Sequence, residues 1–207
     1  MKMKKTLSLL IFALISHLGY SQTKNGEGYF RFFDHANNAK LFEMVASSAS
    51  YLDYFLEEKK NFNGNDYHVR IRNYDYLNKL DTAYFREDDS NYYHFDPRNN
   101  SESIVLPKQL EMGQIWYESD RSWSYEVIGI DEVLDTPAKK YKGLIVIDCV
   151  QLNNRDKNKS NNYQMYYAKD LGLVGGSVNG ILSSYLSQVV TNAKEGEKVT
   201  TKKEENL

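Results

Sequence analysis

The residue types that carry metal or redox chemistry are few and widely separated in this sequence. Apart from one histidine in the N-terminal segment, the histidines are His35, His68 and His94, and the only cysteine is Cys149. Neither a His-Glu-x-x-His nor a Cys-x-x-Cys motif occurs, and these are the short spacings that place two zinc ligands side by side. The sequence therefore predicts no metal site, no cofactor and no catalytic residue. Cys149 lies in an apolar run and is interpreted as a small buried hydrophobic residue.

Two acidic clusters, Glu87–Asp89 and Asp131–Glu132, could bind calcium or act as an acid pair. A calcium loop needs oxygen ligands at set offsets together with a glycine, and that glycine is missing after Asn91. We therefore interpret both clusters as solvated turns. A hydrolase that uses scattered carboxylates is kept as a third functional hypothesis, because its carboxyl groups need only converge in space.

Aromatic side chains are the most suggestive group, since the chain contains 17 Tyr, 9 Phe and 2 Trp. Those near the turn at 119–122 would lie on neighbouring strands, where cross-strand pairs stabilise a sheet. Packing in the core is one interpretation of them. The other is a platform that stacks on sugar rings or lines an apolar pocket. The candidate binding residues are Trp116, Tyr117, Trp123, Tyr125, Tyr166 and Tyr167.

The elements that must position these side chains are predicted to be strands. Asn63-Gly64 and Asn179-Gly180 supply the positive φ angles of type I′ turns, which join the strands of tight hairpins. Further turns are expected at 88–91, 119–122 and 153–162, between short runs rich in Tyr, Val and Ile. The pattern predicts one mainly β domain over residues 22–190. Its expected architecture is a curved antiparallel sheet, a half-barrel-like meander.

Hydrophobic alternation assigns faces to these strands. Residues 67, 69 and 71 (Tyr, Val, Ile) share one face, and His68, Arg70 and Arg72 share the other, which indicates a sheet with one wet face. The run Leu144–Ile147 is apolar at every position and predicts a central strand that is covered on both faces.

The cover for that central strand is expected to be a helix over residues 39–58. Apolar residues there follow helical spacing, Asn38 could cap the start, and the content of β-branched residues is low. The alternative is a pair of strands, of which the second, 51–62, pairs across the Asn63-Gly64 turn. The low β-branched content favours the helix, packed on the sheet, and the turn favours the strands.

The two ends of the sequence differ from the part between them. Residues 1–21 combine three lysines, an apolar run over 7–18 and small residues before the expected cut, which is typical of a signal peptide. The apolar run is shorter than the roughly 20 residues of a membrane span, so the mature chain is predicted to have none. Residues 191–207 predict a disordered, charged tail. The protein is expected to be exported and associated with a bacterial envelope, in the periplasm or outside the cell.

Composition excludes one class of partner. The 207 residues carry a formal net charge of -2, and no basic stripe is present. A nucleic-acid-binding surface needs clustered Lys and Arg to neutralise phosphates. No nucleic-acid partner is therefore predicted.

The second half of the chain contains a set of short motifs. They are Leu106-Pro107, Gly113-Gln114-Ile115-Trp116, Tyr125-Glu126-Val127, Thr136-Pro137-Ala138 and the box Tyr166–Val174, which reads Tyr-Tyr-Ala-x-x-x-Gly-Leu-Val. With these motifs the chain resembles uncharacterised secreted proteins and lipoproteins of bacterial envelopes. The resemblance implies a curved antiparallel sheet of the lipoprotein-carrier type, which can wrap a helix or an apolar ligand. It implies no catalytic residue, and this chain lacks the cysteine that would carry a lipid.

The sequence favours a non-enzymatic binding or structural protein that holds an apolar or glycan ligand. The alternative is an assembly or surface-interaction component that binds another envelope protein, with strand addition at a sheet edge as its mechanism. The secreted hydrolase is the third hypothesis.

Overall fold

The computed structural model describes residues 22–32, 38–153, 155–157, 159–160 and 162–191. The predicted signal peptide and residues 192–207 of the predicted tail lie outside these ranges. The described residues form fourteen strands and one short 3₁₀ helix: β1 (Thr23–Asn25), β2 (Asn38–Met44), β3 (Ser50–Phe62), β4 (Asn65–Tyr74), η1 (Asp75–Leu77), β5 (Lys79–Glu87), β6 (Asn91–Asp96), β7 (Ser101–Pro107), β8 (Gln109–Glu111), β9 (Ile115–Tyr117), β10 (Trp123–Asp135), β11 (Lys140–Gln151), β12 (Asn162–Ala168), β13 (Gly172–Val178) and β14 (Ile181–Thr191).

Twelve of the strands form one antiparallel sheet, in the order β7-β6-β5-β4-β3-β2-β14-β13-β12-β11-β10-β9, and β1 pairs with β8 separately. The edge strands β7 and β9 face each other. There Trp116 Nε1 donates to the Ile104 carbonyl at 3.1 Å, and the Ser119 N–H donates to Ser103 Oγ at 2.9 Å. The sheet is therefore nearly closed on itself and has an inner and an outer face. The predicted mainly β, curved antiparallel fold is confirmed.

The two Asn-Gly turns have the predicted geometry. Asn63 and Gly64 have φ angles of 52° and 83°, and Asn179 and Gly180 have 52° and 74°. Both φ angles of a type I′ turn are positive, and this turn matches the right-handed twist of the strands that it joins. The turns connect β3 to β4 and β13 to β14.

The predicted helix over residues 39–58 is wrong, and its two-strand alternative is confirmed. β2 and β3 occupy this stretch and pair antiparallel. Val45, which fits the helical spacing, is 47% exposed in the turn between them. In β3, the buried residues are Tyr51, Asp53 and Phe55, which alternate with half-buried ones. The stretch forms strands because pairing on both sides buries this period-two set, whereas a helix would have buried Val45.

The central strand β11 is buried on both faces as predicted, since all four residues of Leu144–Ile147 are buried. Its outer face is covered by the far end of the β10–β11 hairpin itself, where Leu134 and Tyr141 join the same apolar cluster as Val174. The Tyr141 hydroxyl donates to the Leu186 carbonyl at 3.1 Å. A folded-back hairpin end, not a helix, thus supplies the second cover.

The alternation in β4 is confirmed, but its polar face is the inner face of the sheet and not a face open to solvent. Arg70 and Arg72 point inward, and the outer residues Tyr67 and Val69 are buried. Phe62, at the end of the β3–β4 hairpin, lies against the ring of Tyr67 with the centroids 5.6 Å apart. Aromatic cover on the outside leaves the arginines facing the interior.

One end of the closed sheet is crossed by residues 26–32. The Gly28 N–H donates to the Tyr92 hydroxyl at 3.3 Å, and the Gly28 carbonyl accepts from the Asp170 N–H at 2.8 Å, so the segment is tied to opposite walls. The ring of Phe32 then stacks on His68 inside, with centroids 4.4 Å apart. The segment therefore closes the interior at this end.

Candidate functional site

A cavity of about 480 Å³ lies inside the sheet, within the size range of small-molecule sites. Two opposite groups of side chains line it. The aromatic wall consists of Tyr125, Tyr163, Met165, Tyr167 and Leu173, and the charged wall consists of Lys40, Asp53, Arg70 and Arg72. Phe30 lies at the closed end, and the exposed Lys159 lies at the other end.

The aromatic wall is built by strand register. Tyr163 pairs with Cys149, and Tyr167 pairs with Ile145, so the inward side chains of β12 stand beside the buried residues of β11. Burial raises the pKa of the Tyr125, Tyr163 and Tyr167 hydroxyls and of the Cys149 thiol. These groups stay protonated near neutral pH and present a neutral, largely apolar surface.

The charged wall is centred on an ion pair between neighbouring strands. Asp53 in β3 lies opposite Arg72 in β4, and the guanidinium donates to both carboxylate oxygens at 2.7 and 2.6 Å. Burial alone would raise the pKa of the Asp53 carboxyl, but the charge and hydrogen bonds of Arg72 hold it below its usual value. The guanidinium carbon of Arg72 also lies 4.4 Å from the Tyr51 ring centroid. The geometry is that of a bidentate pair, which fixes both side chains.

Lys40 stands beside this pair in β2, opposite Asp53. It is only 6% exposed, and its ammonium group donates to the carbonyls of Leu171 and Leu173. Burial lowers its pKa to about 7. The charge on the wall therefore varies with pH around neutrality.

Arg70 is the member of the charged wall without a carboxylate of its own. It lies between Phe55 and Ala83 in register, and its guanidinium carbon is 5.3 Å from the Phe85 ring centroid. Its Nε is buried and has no hydrogen-bond partner among the described residues. Burial, together with the charge of Arg72, lowers the pKa of Arg70. Arginine nevertheless stays charged in proteins, so the cavity holds an uncompensated cation.

His94 in β6 completes the inner surface near Arg70. It pairs with Phe85, and the two ring centroids are 5.3 Å apart. Burial, followed by the charge of Arg70, lowers the pKa of His94 to about 4. The imidazole is therefore neutral at neutral pH and adds no charge to the cavity.

Of the six aromatic residues singled out in the sequence, Tyr125 and Tyr167 line the cavity. The Tyr125 hydroxyl donates to Glu118 Oε1 at 2.9 Å. Tyr166 points to the other side of β12, where its hydroxyl lies 3.3 Å from Ser177 Oγ. Adjacent tyrosines of the Tyr-Tyr-Ala box thus serve opposite faces of the sheet.

The remaining three lie around the β9–β10 hairpin. Trp116 and Trp123 are 7% and 1% exposed. The Trp123 Nε1 donates to Asp156 Oδ2 at 2.8 Å, and the Trp116 ring stacks on that of Tyr125 at 5.7 Å. Tyr117 is 46% exposed and lies under the guanidinium of Arg121. The tryptophans pack within the hydrophobic core and back the cavity, and Tyr117 lies on the outside.

The charged wall was missed in the sequence, although one signal was present. Arg70 and Arg72 alternate with aromatic and β-branched residues, and that alternation identifies the face that they share. The alternation alone does not show which of the two faces is the inner face of the sheet. That depends on Phe62, which covers the outer side, and on the closure between β7 and β9, both of which are long-range features.

The acidic clusters are turn and ion-pair residues. Asp88 Oδ1 accepts from the N–H groups of Ser90 and Asn91, each at 2.8 Å, and Asp131 pairs with Lys24 at 2.5 Å. Within the described part of the chain, no group of three or more His, Cys, Asp or Glu residues is placed to hold a metal ion. The same residues contain no helix with the length and apolar character needed to cross a membrane.

No protein-family model matches this chain, and no curated protein or solved structure matches it either. The resemblance to envelope proteins therefore stays a prediction. The cavity and its two walls are the basis on which a function can be assigned.

Proposed function

We propose that this protein is a non-enzymatic binding protein, exported to the envelope, that holds an apolar small molecule in the cavity of the closed sheet. The observation that carries this proposal is the cavity of about 480 Å³, with a neutral aromatic wall and one end closed by residues 26–32. Ligand sites of this kind are concave, mostly apolar and largely preformed.

The carboxylates around the cavity support binding over hydrolysis. Among the described lining residues they are Asp53 and Glu118. Asp53 uses both oxygens for Arg72, and Glu118 accepts from Tyr125, Ser122 and an Arg155 guanidinium. The oxygens of both carboxylates already accept hydrogen bonds from protein groups, so neither carboxylate is free to act as the general acid of a glycosidase pair.

An apolar ligand is favoured over a glycan. Stacking on a sugar ring needs an aromatic face that the sugar can reach, and both tryptophans are buried with their Nε1 groups already bonded. The tyrosines of the cavity form a concave inner surface instead, which suits a ligand that gains free energy by leaving water.

Binding to another envelope protein is the second candidate. Apolar side chains are exposed around η1 and the β2–β3 turn, where Val45, Tyr76 and Leu77 are 47%, 49% and 57% exposed, and the Tyr76 hydroxyl lies 3.9 Å from Met44 Sδ. Strand addition is the less favoured mechanism for such a contact, because the edge strands of the twelve-stranded sheet face each other.

The first experiment is native mass spectrometry of the protein recovered gently from its own envelope fraction. A discrete added mass that disappears on denaturation is expected, and its identity would name the ligand. A bare chain mass, or a complex with another polypeptide, would instead favour the partner-binding candidate.

A second experiment fills the cavity. Ala83 faces the cavity, and its neighbour Thr82 is exposed on the outer face of the same strand. Ala83→Phe is expected to reduce binding of the neutral fluorescent probe N-phenylnaphthylamine at least about tenfold, whereas the control Thr82→Phe leaves it unchanged. Equal binding by both variants would show that the probe binds elsewhere and would contradict the proposal.

A further inference from the structure

We infer that the ligand is an amphipathic carboxylate, whose apolar body lies against the aromatic wall and whose anionic group binds Arg70. This inference rests on the proposed function, the binding of an apolar molecule in the cavity, and adds the chemical class of the ligand. Its basis is the charge arrangement of the charged wall.

Positive side chains outnumber carboxylates on the charged wall of the cavity. Among the described residues, Lys40, Arg70 and Arg72 face one buried carboxylate, that of Asp53, and the second carboxylate that lines the cavity, Glu118, is paired with Arg155. Both oxygens of Asp53 are occupied by Arg72 in a bidentate pair. A net positive charge remains even when Lys40 is neutral, and a buried charge without a partner is costly. A ligand that brings a negative charge into this cavity would remove that cost.

Arg70 is the cation on the charged wall that is best placed to receive the anion. Lys40 already donates to two backbone carbonyls. Arg70 has a buried Nε without a hydrogen-bond partner among the described residues, and the carboxylate of Asp53 is already paired with Arg72. A planar guanidinium matches a carboxylate with two parallel N–H donors, which makes arginine well suited to this ligand group.

Arg70 lines the same cavity as the aromatic wall. Its cross-strand neighbour Ala83 is small and also lines the cavity, so space is left beside the guanidinium. Tyr167 on the opposite wall is close enough that the charges of Arg70 and Arg72 act on the pKa of its hydroxyl. A molecule in the cavity can therefore contact the aromatic wall and Arg70 at the same time.

A purely structural role for Arg70 is the competing explanation. Its contact with the Phe85 ring supplies a cation–π interaction but leaves the Nε donor unsatisfied. If Arg70 had only a structural role, replacing it would leave the preference of the cavity for an anion unchanged. The two explanations therefore differ in one measurable property, the effect of replacing Arg70 on the preference for an anion over a neutral molecule of the same shape.

The test compares dodecanoate with dodecanol, which share one alkyl chain and differ in the head group. Each displaces N-phenylnaphthylamine from the purified protein, at a pH well above the pKa of the fatty acid. In the wild type, dodecanoate is expected to bind roughly ten- to a hundredfold more tightly, as hydrogen bonds to a charged group allow. Arg70→Gln is expected to lose this preference, so that dodecanoate and dodecanol displace the probe with similar affinity. The control Arg98→Gln, at an exposed position, keeps the preference.

The outcomes separate this inference from the proposed function. Equal affinity of dodecanoate and dodecanol in the wild type, or an anion preference that survives in Arg70→Gln, overturns the role of Arg70 and leaves apolar binding intact. Failure of the neutral probe and of both competitors to bind overturns the proposed function and this inference with it. Arg70→Lys keeps the charge but loses the planar fork, so its expected preference is intermediate. It supplies the comparison if the glutamine variant is unstable.

Discussion

The aromatic wall and the charged wall enclose the same cavity, but they are stabilised in different ways. On the aromatic wall, Tyr163 and Tyr167 are backed by the buried strand β11 and stay neutral. On the charged wall, Arg72 is satisfied by Asp53, while the Nε of Arg70 has no hydrogen-bond partner in the described part of the chain. Native proteins violate the rule of paired buried charges mainly where function requires it. Under the proposed function, the aromatic wall is core that also contacts the ligand, and the charged wall is a binding site kept at the expense of stability.

The largest expected effect tests the pair on which the charged wall depends. Asp53→Asn removes the one buried carboxylate that Arg72, Arg70 and Lys40 face among the described residues, so the free energy of unfolding should fall by about 3–5 kcal/mol. Urea denaturation measures it. The control is Asp135→Asn, whose carboxylate is 75% exposed and 3.6 Å from Lys140. An exposed pair contributes little, so this control should change stability by less than about 1 kcal/mol. Similar losses of unfolding free energy in the two variants would show that the buried pair contributes no more to stability than the exposed pair.

A different substitution on the charged wall is expected to raise the free energy of unfolding instead of lowering it. Arg70→Met removes the charge of a half-buried side chain whose Nε is unsatisfied among the described residues, and its unbranched thioether reaches about as far as that Nε. The ligand-free protein should therefore gain about 1–2 kcal/mol of unfolding free energy. The gain should appear as a higher urea midpoint with an unchanged slope. A loss of stability would mean that the contact with Phe85 outweighs the cost of the charge, which would weaken the contrast between the walls.

The sequence predicted the local structure better than the site. The Asn-Gly turns and the apolar run in β11 are local signals, and each is confirmed in the described residues. The apolar spacing of the stretch 39–58 fits a helix as well as a strand. Only the pairing of β2 with β14 and of β3 with β4 buries its period-two set of residues. Local spacing does not contain that information.

The site could be predicted in part. Tyr125 and Tyr167 belong to the aromatic binding surface that the sequence predicts, and both line the cavity. Asp53 and Arg72 lie 19 residues apart in the sequence and meet through the β3–β4 register, which has an irregularity between Phe55 and Lys59. An insertion of this kind shifts which residues face each other and cannot be counted from the alternation alone.

The smallest expected effect uses His94, which adjoins both Phe85 and Arg70. The pKa of His94 is lowered in the fold to about 4, from an ordinary value of 6.5, so the unfolded chain takes up the proton first as the pH falls. The stabilisation is therefore complete above the ordinary value and is lost as the pH falls through the folded one. Because the imidazole is partly exposed to the cavity, we expect a loss of about 1 kcal/mol between neutral pH and pH about 5.

The pKa of His94 also depends on the charge of Arg70. Arg70 is the second cause of the lowered pKa, after burial. In Arg70→Gln the pKa of His94 should therefore rise, and part of the acid sensitivity should disappear. Titration of the His94 ring by NMR measures this directly, and His94→Gln identifies its signal. An unchanged pKa would place the guanidinium farther from the imidazole than the charged wall requires, whereas a rise would confirm that Arg70 projects its charge into the space that the carboxylate is proposed to occupy.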